Sequence, residues 1–180
     1  MKFLKSFFQC IFCWKLKPGS KRELKDSDVI LALSFGRREN TSGMSNIQLA
    51  LGVEMLSREF GLPVITQWEI SERLTAYIDK AGEIREHRIK GKYLDTLEVL
   101  IQSLEICKKR NWKKAVIVAH PDHIWRCAET AKKLGFEVVI ADTAYVAYDD
   151  RSIQPLTRNR TRFVLREIAA RLAFLFKGRI

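Results

Sequence analysis

The chain predicts an α/β fold, a three-layer sandwich with a mostly parallel sheet and helices on both faces. Three observations carry this. Apolar runs such as DVILALSF at 28–35 lack polar alternation, which suits strands buried on both sides. Between them lie segments with apolar residues three and four apart, long enough to be crossover helices and too long for hairpin turns. Strand and helix then alternate through the middle of the chain, the pattern of βαβ units.

The elements follow in order. The opening MKFLKSFFQCIFCWKLKPGS, plotted as a helix, puts Phe3, Leu4, Phe7, Phe8, Ile11 and Trp14 on one broad face. Lys2, Lys5, Gln9 and Lys17 fall on or near the other face. This suits an in-plane anchor at anionic headgroups, and equally a terminal helix packed on its own domain or on a partner. The uncharged run 6–14 is far below the roughly 20 residues needed to cross a bilayer. Neither the longer apolar stretch nor the small-residue cleavage site of a secretory signal is visible. Residues 1–25 are therefore read as a basic amphipathic segment, and 26–180 as one α/β domain.

Within that domain 28–35 is the first strand, and the polar loop GRRENTSG leads to a helix over 44–60 with Leu49, Val53, Leu56 and Phe60 at helical spacing. Gly61 stops it, and 63–66 is the next strand. The spacing predicts a helix over 71–81, then a charged stretch holding Gly82 and Gly91. Leu94, Leu97, Leu100, Ile101 and Leu104 mark a long helix over 93–110. A strand at 114–119, a helix at 122–134 and a strand at 138–141 complete the alternation. A tail over 143–157 precedes a last helix from about Arg158 to Phe176. There Arg158, Arg162 and Arg166 stand four apart as a basic stripe, and Phe163, Ile168, Leu172 and Leu175 are expected to face inward.

The formal charge of +11 is concentrated at the ends. Residues 1–25 hold seven basic residues and one acid, and 151–180 hold eight and one; the middle carries 17 basic and 19 acidic residues. A near-neutral middle argues against a nucleic-acid groove, and the basic ends favour peripheral contact with an anionic membrane. The domain is accordingly expected in the cytoplasm or peripherally attached to the inner membrane. Four cysteines in a chain of this length do not form a disulfide framework, and the Cys10–Cys13 pair sits in an aromatic basic segment, not after a strand.

In parallel α/β sheets, ligands collect beyond the carboxyl ends of the strands. Three segments fall there. The loop SFGRRENTSGMSN offers Ser34, a turn at Gly36, Arg37 as an anion ligand and Asn46 at a helix start. The segment HPDHIWR follows the strand at 114–119: Asp122 is a candidate helix cap, Arg126 a candidate two-point clamp, and His120 and His123 candidate acids or bases. Its two histidines offer half of a metal site, and no further ligands are identified by spacing, so no metal is assigned. At the start of the long helix, Thr96 is placed to contact a ligand and Glu98 to orient a histidine.

With these segments in order, the chain from about Asp28 to Gly178 resembles the YdcF/SanA/ElyC-like family of bacterial proteins. The likeness rests on Ala32-Leu33-Ser34-Phe35-Gly36, Asp95-Thr96-Leu97-Glu98, His123-Ile124-Trp125-Arg126, and a closing helix from Glu167 to Gly178. The chain departs from the family in its Ser-Phe-Gly turn, where a Gly-Gly pair is usual, and in His120, where small or hydroxylic residues are common. The resemblance implies a Rossmann-like domain with a pocket at the strand ends and an anionic small molecule in it. S-adenosylmethionine or another nucleotide-like ligand is the cofactor candidate, and the setting is envelope or cell-wall maintenance. It implies no particular reaction and no oligomeric state.

Overall fold

The computed structural model describes residues 2–180, with side chains from Phe7 onward. The expected placement of Lys2, Phe3, Leu4 and Lys5 on the two faces of the opening helix falls on side chains outside those described. The elements run α1 (Lys2–Phe12), α2 (Lys21–Lys25), β1 (Val29–Ala32), α3 (Met44–Phe60), β2 (Val64–Gln67), α4 (Trp68–Ser71), β3 (Lys80–Ile84), α5 (Thr96–Lys109), β4 (Lys114–Val118), α6 (Ile124–Lys133), β5 (Glu137–Ile140), a 3-10 turn (Pro155–Thr157) and α7 (Arg160–Phe176).

The five strands form one sheet in the order β3-β2-β1-β4-β5, and every pairing is parallel. Pleating sends alternate residues to opposite faces. Ile30, Ala32, Val64, Val116, Val118 and Val139 meet Leu49, Ala50 and Val53 of α3, with Phe163 of α7, on one side. Val29, Leu31, Leu33, Ile65, Ala115 and Ile117 meet Val99 and Leu100 of α5, with Ile124, Cys127 and Ala131 of α6, on the other. Both faces of β1 and β4 are thus covered, which explains their unbroken apolar sequences. The chain is a Rossmann-like α/β sandwich. The connection order reverses between β1 and β4, so the crevice beyond their carboxyl ends is the switch point.

The expected helix over 71–81 is not formed. After α4 the chain turns and enters edge strand β3, pairing with β2 from Val64↔Lys80 to Gln67↔Ile84. Of its side chains Ile84 alone is buried, so period-two patterning had little to show. At Gly82 a Cβ would come within 2.6 Å of the Ile106 Cδ1 of α5, so a larger residue there would displace that side chain.

The N-terminal segment packs on the body through its far end. Cys10 is buried, and Trp14 lies 4.0 Å from the Arg171 guanidinium of α7. Phe8 and Phe12 stack on each other and stay exposed. Among the described residues no helix is long and apolar enough to cross a membrane.

Candidate functional site

Beyond the switch point lies a crevice of about 290 Å³, at the lower end of small-ligand pockets. It is reached from the loop after β1 by Ser34, Gly36 and Arg37, from β2 by Gln67, from α4 by Glu69, from α5 by Thr96, and from the start of α6 by His123 and Arg126; Arg166 of α7 also lines it.

The β1 turn is built around Gly36, whose φ of 66° is the left-handed region that glycine enters without a Cβ penalty. Fully buried Asn46 staples this turn to the start of α3. Its Oδ1 accepts from the Phe35 amide at 2.8 Å, and its Nδ2 donates to the Gly36 and Ser42 carbonyls. Asn46 shapes the loop and does not line the crevice, whereas Ser34, Gly36 and Arg37 do. Arg37 and Arg166 line the crevice and form no ion pair among the described residues, and the Arg37 charge acts on the Glu69 carboxyl of the same wall.

The floor is a buried charged network. Arg126 is 4% exposed and meets Glu167 in two-point fashion, Nε to Oε1 at 3.0 Å and Nη2 to Oε2 at 2.9 Å. Its Nη1 donates to Thr96 Oγ1 at 2.9 Å, and its Nη2 lies 3.2 Å from His123 Nδ1. His123 Nε2 is 3.3 Å from the same Thr96 oxygen. Behind them, fully buried Arg171 donates to Glu167 at 3.2 Å, to the Asp122 carbonyl and to the Cys13 carbonyl, between the rings of Trp14 and Trp125. Burial pushes the Glu167 carboxyl up, but the Arg126 charge beside it outweighs this and the carboxyl is held at about 2. Burial, and next the Arg126 charge, push His123 below the ordinary imidazole range.

Two expectations from sequence are redirected. Glu98 does not reach His123. It accepts from Arg88 Nε at 2.7 Å and from Gln102 at 2.9 Å, and Arg88 holds it down at about 2. Glu167 takes the place beside the histidine, with Oε2 3.5 Å from Nδ1. Asp122 does not cap α6, because His123 occupies that position. Its carboxylate instead accepts from Tyr148 at 2.7 Å and pairs with Arg160 at 3.1 Å. Asp122 and His120 line a different cavity of about 590 Å³, walled partly by Trp14, Lys15, Leu16 and Pro18.

His120 is 1% exposed, stacks on Phe35 with ring centres 3.8 Å apart, and leaves Nε2 without a hydrogen-bond partner. Burial pushes it down to about 3, so it stays neutral at physiological pH.

Sequence reasoning missed Glu69, Arg166 and the roles of Glu167 and Arg171. Phe163, Glu167, Arg171 and Phe174 recur at helical spacing and are the buried residues of α7, so a Glu–Arg pair interrupting an apolar stripe was the available signal. Glu69 carries an unpartnered Oε2, and burial pushes its carboxyl up. Among the described residues, no group of three His, Cys, Asp or Glu side chains could hold a metal ion. Compared with protein-family models, curated proteins and solved structures, the chain finds no match.

Proposed function

We propose that this chain is a YdcF-like, Rossmann-like protein that binds an anionic small molecule at the switch-point crevice. The ligand class is a nucleotide, S-adenosylmethionine or a phosphorylated envelope precursor. The observation that carries this reading is the pair Arg37 and Arg166, two guanidiniums on the crevice wall without an ion-pair partner among the described residues. Two such groups facing one concave site supply the charge that a phosphate or carboxylate requires. Arg126, by contrast, supports the site from beneath, since Glu167 already neutralises it.

The basic ends and the outward Phe8–Phe12 stack support peripheral contact with an anionic membrane, which would hold the crevice near lipid-linked anions. The same stack favours a second reading, a membrane-associated adaptor whose crevice is vestigial.

A thermal-shift series on the full chain separates the two. The probes are inorganic phosphate, AMP, S-adenosylmethionine and a short polyprenyl phosphate. A ligand at about a hundred times its Kd stabilises the native state by about 2.7 kcal/mol. We expect a shift with at least one phosphorylated probe, lost in the Arg37→Ala/Arg166→Ala variant. No shift with any probe, or a shift that survives the double substitution, overturns the ligand-binding reading.

A further inference from the structure

Hydrogen-bond accounting in the crevice floor identifies the atom offered to the ligand. A guanidinium has donors and no acceptor, so the contact between Arg126 Nη2 and His123 Nδ1 at 3.2 Å is a hydrogen bond only if Nδ1 accepts. A proton on Nδ1 would instead set two N–H groups against each other. The competing arrangement sends an Nδ1 proton to Glu167 Oε2. That separation is 3.5 Å, beyond ordinary N–H···O lengths, and the oxygen already receives Arg126 at 2.9 Å. Arg126 thus fixes the neutral imidazole with its proton on Nε2. That nitrogen lies 3.3 Å from Thr96 Oγ1 and donates to it.

Thr96 Oγ1 now accepts from two donors, His123 Nε2 and Arg126 Nη1. A hydroxyl has two lone pairs and one proton, so its remaining capacity is as a donor. Thr96 is the first residue of α5, and with Nε2 protonated neither printed contact of its Oγ1, to His123 and to Arg126, offers an acceptor for its proton. The residue is 8% exposed and lines the crevice. An O–H with both lone pairs engaged by donors, one of them cationic, is polarised as a donor.

We propose that Thr96 is the crevice's hydrogen-bond donor to an anionic oxygen of the ligand, with His123 a positioning residue held as the Nε2–H tautomer and not a proton acceptor. The proposal rests on the anionic-ligand reading above and specifies where the ligand's oxygen sits: against Thr96, with Arg37 and Arg166 on the surrounding wall. It reassigns His123 from acid–base chemistry to holding the hydroxyl.

The test has two independent readouts. In the ligand-free, ¹⁵N-labelled full chain, a long-range ¹H–¹⁵N correlation spectrum reports each histidine's tautomer, and His123→Gln assigns the signals. We expect a protonated Nε2 and an unprotonated Nδ1 for His123; the reverse pattern, or an imidazolium at neutral pH, overturns the tautomer assignment. Binding of the same four probes (inorganic phosphate, AMP, S-adenosylmethionine and the short polyprenyl phosphate) is then compared in wild type, Thr96→Ser and Thr96→Val. Serine retains the wild-type affinity, and valine weakens binding about tenfold or more, as loss of a hydrogen bond to a charged group does. Valine that binds as tightly as wild type overturns the donor role. Wild-type protein that ignores all four probes overturns the ligand-binding reading and the donor role together, while the tautomer stands or falls by the spectrum of the wild-type chain alone. If the valine variant fails to fold, Thr96→Ala takes its place in the binding comparison, and alanine that binds as tightly as wild type overturns the donor role.

Discussion

Arg126 makes four contacts with Glu167, Thr96 and His123, all within buried surroundings. Removing it leaves Glu167 with Arg171 as its remaining buried cation and deprives the Thr96 and His123 contacts of their donor. We expect Arg126→Ala to lower stability by on the order of 3–5 kcal/mol, read by urea denaturation, because a buried carboxylate loses its two-point partner. A variant as stable as wild type would show that water replaces the guanidinium. His120 gives the pH-dependent counterpart. Its neutral form is favoured in the folded state, where its pKa is about 3 against 6.5 for an ordinary imidazole. The unfolded chain therefore takes up a proton that the folded chain refuses, and stability falls as the pH drops from about 6.5 toward 3. His123 is lowered as well and adds in the same direction. Replacing His120 with Phe, which keeps a ring against Phe35, should flatten this acid limb between pH 7 and pH 5. Parallel curves for the two proteins would refute the burial account. Sequence placed both histidines at a strand exit but could not rank them, because burial and the partners Phe35, Glu167 and Thr96 all come from distant positions.

At the scale of elements, the β1–α3 connection depends on one backbone conformation. An added Cβ at Gly36 would come within 2.6 Å of Thr157 Oγ1 and 3.0 Å of Ser152 Oγ, besides carrying a φ of +66°. Gly36→Ala is expected to cost about 1–2 kcal/mol from the left-handed backbone alone. It should also push the 152–157 segment off the crevice, lowering both the melting temperature and any ligand shift. An unchanged ligand shift would mean that the turn adapts without moving Arg37. The central strands and long helices were legible because their apolar spacing is set by burial on the sheet. Edge strand β3 was not, since pairing to β2 makes Lys80–Ile84 a strand while its side chains stay mostly solvated. Capping was not legible: Asp95, not singled out as a cap from sequence, caps α5 by accepting from the Glu98 amide at 2.9 Å, and Asp122, expected to cap α6, is diverted to Tyr148 and Arg160, contacts no local pattern announces.

For the whole molecule, the strand order puts the crevice at the centre of the sheet's carboxyl edge, while the excess positive charge sits at the two chain ends, which meet where Arg171 of α7 bonds the Cys10 and Cys13 carbonyls. The exposed aromatic pair Phe8 and Phe12 lies on that joined end. Phe8→Ser/Phe12→Ser should therefore reduce co-sedimentation of the full chain with phosphatidylglycerol vesicles and leave the melting temperature within about 1 kcal/mol equivalent of wild type, as surface substitutions do. Undiminished vesicle binding would assign the membrane contact, if any, to the basic residues alone. Charge placement was readable from composition by segment; the packing of α1 onto α7 was one of two readings that amphipathicity left open, because a buried arginine anchors it and apolar spacing does not.

The sandwich of Arg171 between Trp14 and Trp125, with Trp68 on the crevice wall, also makes the molecule its own optical instrument. Indole emission responds to nearby charge and to water, so lifting the N-terminal segment from α7 frees one indole of its guanidinium and wets the other. Ligand entry alters the surroundings of Trp68 instead. Single-tryptophan variants at 14, 68 and 125 would therefore follow docking of the chain end and filling of the crevice as separate fluorescence signals, and stopped-flow mixing would reveal which event comes first.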